Sequence, residues 1–307
     1  MCSFNEYMEQ WEVWFDSDNS RCIVGQVQHL LFDTFIFKLL QKAYELSDSE
    51  LINGKEVKKQ NQMLHWFIDR NYVMSVHINI RRLLDKGSDV VSLKRLLDVM
   101  KGKHSLLTRQ NYAKKFECFV DLSEHEAAYS NKISANALYY KPGDKIEFTK
   151  ITDPFILKYK KSERFHDRFD KLCNKDSASR SAEDVVSSDV FDKLNNDLTQ
   201  CKDLIKVPVN KIFAHTDIKK FSDDIFVEYS NIFKANKILV DDVKFISLNL
   251  LGDYSISMLP SPPTNWHKYV HEPFVDKKHH SEISKLWQNY SNELNSSVSD
   301  KKPVTTN

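Results

Sequence analysis

The chain holds few of the residues that break helices. Its 307 positions include 6 glycines and 8 prolines. Few turns and long periodic stretches follow from that, and they predict a mainly α protein. No glycine-rich phosphate loop of the Walker or Rossmann kind is present, which excludes those nucleotide-binding folds. Cysteine is sparse: Cys2, Cys22, Cys118, Cys173 and Cys201 are odd in number, widely spaced and without a CxxC pair. That pattern fits neither a disulfide framework nor a zinc site and points to a reducing interior. No carboxylate–histidine spacing suggests a metal centre, so neither metal nor cofactor is expected. A charge of one sign is missing as well. Lysine and arginine total 44 against 43 aspartate and glutamate, for a net charge of +1. A whole-chain grip on nucleic acid is thereby excluded, and a local basic patch stays possible. Long apolar runs are absent. Leu30 to Leu40 is broken by Asp33 and Lys38 and is too short for a bilayer, and Met1 to Asn19 is too polar for a signal peptide. The chain is expected to be soluble and cytoplasmic, with no membrane association.

What is present is mostly helical periodicity. Apolar spacing predicts helices over Phe4 to Phe15, Ile23 to Leu46, Glu56 to Leu84, Leu93 to Met100, Val185 to Ile205 and Ser222 to Leu239. The Glu56 to Leu84 run would reach ~40 Å. Gly87 is expected as its left-handed cap, Ser92 as the N-cap of the next helix, and Ser222 as a further N-cap. Ser47 to Lys55 reads as a polar connection with a turn at Asn53-Gly54. Asp241 to Leu251 and Ser281 to Leu294 are shorter helix candidates. Between Gln110 and Asp184 the pattern weakens. A turn at Tyr139 to Asp144, a short strand or extended loop over Lys145 to Thr152 and a mobile loop at Ser177 to Ala182 are expected there. The predicted organisation is a helical domain over 1–250 with an irregular insertion at about 110–184, then a C-terminal tail over 251–307 that carries a short helix.

One short segment concentrates chemistry. Asn210, Lys211, His215 and Asp217 bring a carboxamide, an amine, an imidazole and a carboxylate into eight residues just after Pro208. Lys211 and His215 are four apart, so on a helix they share a face, as do Asn210 and Asp217. Such a group can hold a phosphate and move a proton. Each residue also has a plainer reading. His215 can be a helix residue bonded to a neighbour's backbone, Lys211 a solvated lysine, Asn210 a partner of a carbonyl near the Pro208 kink, and Asp217 a cap or a partner of Lys219 or Lys220. His77 and Arg81, four apart, read as a surface pair; His65 beside Trp66-Phe67 reads as packing.

Two stretches resemble a known family. Ile78 to Leu97, containing Arg81-Arg82-Leu83-Leu84-Asp85-Lys86-Gly87-Ser88-Asp89, is similar to the helix junction of the abortive-infection AbiU-type branch of the HEPN superfamily. Thr108 to Tyr112 is similar to the segment next after that junction in the same branch. Asn210 to Asp217 resembles that branch's C-terminal signature. The likeness covers roughly Ile23 to Arg109 and Val185 to Asn236. It implies a HEPN-like helical bundle that dimerises, and a family of metal-independent ribonucleases and inactive relatives used in toxin–antitoxin systems and phage defence. On this chain it implies His215, Lys211 and Asn210 as the catalytic group, Arg81, Arg82 and Lys211 as RNA or phosphate contacts, and Asp85 and Asp217 in support. RNA, a second copy of the chain, and an antitoxin or other protein are the implied partners.

The chain departs from the family pattern where an arginine is expected before the histidine: Val209 stands there. Valine cannot donate to phosphate, and loss of one such donor costs ~10²–10³ in rate in other enzymes. Three consequences remain open. Lys211 substitutes as a point charge without the planar fork, Arg81 or Arg82 reaches in from the long helix, or the site is inactive and the protein binds without turnover. Asp85 has its own plainer role, a helix-end ion pair with Arg81 or Arg82.

Overall fold

Helix α1 (Phe4–Phe15) shows how the sequence sets its own boundaries. Ser3 and Glu6 form a reciprocal capping box: the Ser3 amide donates to Glu6 Oε2 at 2.6 Å and the Glu6 amide to Ser3 Oγ at 3.4 Å. Phe4, Met8, Trp11 and Phe15 then recur every three or four residues and form the buried face. The computed structural model describes residues 3–17, 21–46, 49–52, 55–58, 62–137, 153–208, 228–252 and 256–258, with single positions at 281, 285 and 289. The chain forms one unit over Met1–Pro260 and a second over Ser261–Asn307, nearly all of which lies outside the described residues.

Helix α2 (Ile23–Leu46) is followed by an antiparallel hairpin, β1 (Ser49–Ile52) and β2 (Lys55–Lys58), with Ser49 opposite Lys58 and Ile52 opposite Lys55. The polar connection expected after α2 is thus a hairpin, and α3 (Gln62–Leu83) begins six residues later than its periodicity suggested. Over Ile23–Glu45, α2 is long and apolar enough by composition to cross a bilayer, more than the interrupted Leu30 to Leu40 run implied. Its inward face carries Val27, Leu30 and Phe37 in the core. A buried polar knot fixes it there. Thr34 Oγ1 donates to the Leu30 carbonyl at 2.8 Å and accepts from Tyr72 Oη on α3 at 3.1 Å and from Asn236 Nδ2 at 2.9 Å.

After α3 the chain turns and restarts at α4 (Leu93–Gly102), capped by Ser92, whose Oγ accepts the Arg95 amide at 3.1 Å. Gly87 is not the left-handed cap; among the described glycines only Gly252 has positive φ. The Gly87 amide instead donates to Asp85 Oδ1 at 2.9 Å. The described part of the middle is largely helical where an irregular insertion was expected: α5 (Arg109–Lys115), α6 (Ser123–Ala137) and α7 (Pro154–Cys173). Asp153 caps α7, accepting the Phe155 and Ile156 amides, with Pro154 in the first turn, where its missing N–H costs nothing. Where a mobile loop was expected at Ser177 to Ala182, Ser177–Ser179 form a 3₁₀ turn and both ends are tied: Asp176 accepts the Ser179 amide and Ala182 O accepts the Gln110 amide at 2.9 Å.

Helix α8 (Ser188–Pro208) packs along α9 (Tyr229–Ile246) and touches α3 and α4, while α2 packs along α3 and meets α9. The expected separate helix over Asp241 to Leu251 is instead the end of α9, continued by a π turn at Ser247–Leu251. Gly252 closes it at φ 74, with the Phe116 ring where a Cβ would sit, so only glycine fits both demands. Tyr139 to Thr152, Ser222, Pro260 to Pro263, Asn295 to Asn307 and almost all of Ser281 to Leu294 lie outside the described residues.

Candidate functional site

A cleft of about 530 Å³ opens between the end of α3, the turn after it, α4 and the second half of α8. Its floor is apolar, made by Leu84, Leu198 and Ile205. Among the described residues its charged lining is lopsided: Arg81, Lys86, Lys94 and Lys202 face a single carboxylate, Asp85. Asn195 and Thr199 add neutral polar groups. The sequence builds it simply. Asn195, Leu198, Thr199, Lys202 and Ile205 stand at i, i+3, i+4, i+7 and i+10, so α8 turns one face to the cleft. Arg81 lies in the last turn of α3, where a cation suits the negative end of the helix dipole.

The cations differ in freedom. Lys94 donates to Asn195 Oδ1 at 2.9 Å and pairs with Asp98, which ties α4 to α8. Arg81, Lys86 and Lys202 enter no ion pair among the described residues. Nor does Asp85, so the expected ion pair with Arg81 or Arg82 does not form. Its carboxylate holds the turn through Gly87, and its backbone carbonyl accepts Ser92 Oγ. Arg82 is exposed but does not line the cleft. Such a site has fixed apolar walls and three uncommitted cations, the chemistry that takes a phosphate chain.

Of the residues singled out from sequence, Arg81 and Asp85 meet in this cleft. Val209, Asn210, Lys211, His215 and Asp217 lie outside the described residues. The described part of α8 leads to Pro208, so the chain enters that segment from the helix that lines the cleft. His77 is no surface residue: it is buried, with Nδ1 at 2.6 Å from the Val73 carbonyl, and burial lowers its pKa. His65 packs as expected, its ring 4.0 Å from that of Tyr44.

A second polar cluster escaped the sequence reading. Arg109 is 1% exposed. Its Nη2 donates to Asp170 Oδ1 at 2.8 Å and Asp184 Oδ2 at 2.9 Å, its Nε to the Ser181 carbonyl at 3.2 Å, and its Nη1 to His166 Nδ1 at 3.1 Å. His166 Nε2 faces the Phe119 carbonyl at 2.9 Å, so the ring is neutral with its proton on Nε2. Burial, with Arg109 beside it, lowers its pKa against the pull of the Phe119 carbonyl. Burial alone would raise Asp170 and Asp184. Arg180 and Arg109 on the first, and Lys175, the Ser181 amide and Arg109 on the second, outweigh it and hold both carboxyls low. An arginine and a histidine at this distance resemble catalytic equipment. Both ring nitrogens and all three guanidinium nitrogens are already engaged, however, so no substrate can be served. The cluster binds α5, α7 and the 181–184 turn together. Arg109, a lone cation at the head of α5, was the only sequence sign of it.

A third group is buried without a partner. Asp242 on α9 is 4% exposed, and its Oδ2 accepts no hydrogen bond. Burial first, then Asp197 and Asp241, push its pKa up to about 7 against Lys193. No group of metal-binding side chains occurs among the described residues, and the described cysteines, Cys22, Cys118, Cys173 and Cys201, are free thiols.

Comparison with known proteins gives one result. The HEPN_AbiU2 family model, described as AbiU2, matches residues 22–256 continuously. The match runs through the helical middle that pattern alone had left unmatched. No curated protein and no solved structure matches the chain. A match across that much of a helical bundle assigns the chain, which belongs to the AbiU2 family of abortive-infection HEPN proteins.

Proposed function

We propose that this chain acts on RNA in the cytoplasm as a toxin-like phage-defence protein, through metal-independent cleavage at a weakened site. The observation that carries the reading is the cleft whose uncommitted cations Arg81, Lys86 and Lys202 line the helix leading into the His215 segment. In this reading the cleft holds the phosphate backbone. His215 takes the proton from a ribose 2′-hydroxyl, and the 2′-oxygen attacks the adjacent phosphorus. The bond to the 5′-oxygen breaks, that oxygen receives a proton, and a 2′,3′-cyclic phosphate remains. Asn210 and Lys211 contact the phosphate, with Arg81 as the guanidinium in the cleft, Arg82 flanking it and Asp217 in support. Val209 leaves the transition state without the family's arginine, so turnover is slow. A second copy of the chain and a restraining protein partner belong to the same reading.

The Val209 substitution itself favours a second reading, an inactive helical module that binds RNA or a protein partner without cleaving. RNA degradation in the presence of a chelator separates the two. The first expects slow cleavage by the wild type, none by His215→Ala and faster cleavage by Val209→Arg. Inertness of both wild type and Val209→Arg on diverse RNAs supports the second.

A further inference from the structure

A carboxylate stands among the cations of the cleft, and a phosphate alone gives it nothing to do. Asp85 Oδ1 accepts the Gly87 amide at 2.9 Å, while Oδ2 accepts nothing among the described residues. An open anion beside a phosphate weakens the site unless something else in the ligand donates to it. The neutral lining is oriented as well. Lys94 donates to Asn195 Oδ1 at 2.9 Å. A lysine can only donate, so the carboxamide is fixed with its oxygen toward Lys94 and its Nδ2 protons left over. Those protons have no partner among the described residues. Asp98 and Asn195 take two of the three ammonium protons of Lys94, which leaves one. Lys94 and Asn195 therefore offer two neighbouring donors in one place. Thr199 differs: its hydroxyl donates to the Asn195 carbonyl at 2.8 Å, which leaves its oxygen an acceptor, ~6 Å farther along α8. Ser92 Oγ donates to the Asp85 carbonyl and so ties the Asp85 turn to the first turn of α4, which carries Lys94.

We propose that the cleft selects a guanine nucleotide, with the base between Asp85 and the Lys94–Asn195 pair and the phosphate on Arg81, Lys86 and Lys202. This rests on the reading of the cleft as the site of the phosphate backbone. Guanine is the base with two adjacent acceptors, O6 and N7, on one edge and N–H donors on the next. The two donors meet O6 and N7, and the N1 and N2 protons meet Asp85 Oδ2. Adenine sets its N6 amino group against one of the two donors, and cytosine does the same with N4. Uracil brings O4 without a second acceptor beside it. The floor of Leu84, Leu198 and Ile205 gives the base an apolar surface to lie on. The size agrees, since about 530 Å³ is enough for a small ligand and not only for a passing backbone. A carboxylate and an oriented carboxamide among cations are thereby accounted for together.

The test is binding of the full chain to short uridine RNAs carrying a single guanine, adenine, 7-deazaguanine or hypoxanthine, with GTP and ATP as free-nucleotide probes. The guanine strand is expected to bind ~10-fold more tightly than the adenine strand. Deazaguanine lacks the N7 acceptor and hypoxanthine the N2 amino group, and each is expected to lose part of that margin. Asn195→Asp turns the donor into an acceptor and leaves Lys94 a partner, so the fold is kept and the preference is expected to move from guanine towards adenine. GTP tighter than the guanine strand identifies a free nucleotide as the occupant, and the reverse order identifies RNA; both support the proposal so long as the adenine forms are weaker. Equal binding of guanine and adenine forms, with an affinity that falls in Arg81→Gln/Lys202→Gln, overturns guanine selection and leaves the phosphate role of the cleft standing. A preference for guanine that Asn195→Asp does not alter also overturns it. Absence of binding, or binding unchanged in the double variant, overturns both.

Discussion

Asp242 carries a consequence that its neighbours do not. It sits on α9 against Lys193, Asp197 and Cys201, which recur every four residues on α8, and next to Asp241. Its carboxyl is raised from the usual acid range to about 7 in the fold and is ordinary in the unfolded chain. The folded state therefore binds the extra proton between about pH 4 and 7, so its contribution is complete below that window and lost as pH rises through it. His166 runs the other way, since a lowered pKa removes stability as pH falls. Comparing wild type with Asp242→Asn cancels that effect. The variant is expected to gain on wild type as pH rises, its advantage being larger at pH 8 than at pH 5 by ~1–3 kcal/mol, less than the full shift because a buried site relaxes. Denaturant unfolding at the two pH values reads this, and an equal difference at both would contradict it. Little of this was visible in the sequence. Asp242 follows Asp241, and nothing in an Asp-Asp pair says which one faces inward.

Elements were legible where burial is apolar and obscure where it is polar. Helices α1 and α2 follow apolar spacing and were placed to the residue at both ends. Helix α7 was missed because its inward face includes Ser162, His166 and Asp170 among Ile156, Phe165 and Phe169, which dilutes the apolar period. The hairpin after α2 was missed because a two-stranded ribbon shows little burial pattern, and it shortened α3. What replaces apolar contact around α7 is Arg109. Removing it takes away the buried guanidinium that Asp170 and Asp184 share. Arg109→Met is expected to cost ~3–5 kcal/mol, the usual scale for breaking a buried ion pair from one side. Urea unfolding measures it, and a cost below about 1 kcal/mol would mean that Arg180 and Lys175 suffice.

At the scale of the whole molecule, a near-neutral chain concentrates cations in one place. With net charge +1, the basic excess in the cleft comes from how α3, α4 and α8 meet and not from composition. The sequence offered Arg81 and Asp85 but not Lys86, Lys94 or Lys202, because lysines spaced along separate helices give no sign that they converge. The most direct measurement is the salt dependence of binding to single-stranded RNA by the full chain, wild type against Arg81→Gln/Lys202→Gln. Each phosphate contact contributes ~0.7 to the slope of log affinity against log salt. The double variant is expected to bind more weakly with a slope reduced by ~1.4. An unchanged slope and affinity would place the nucleic acid elsewhere and contradict the assignment of the cleft.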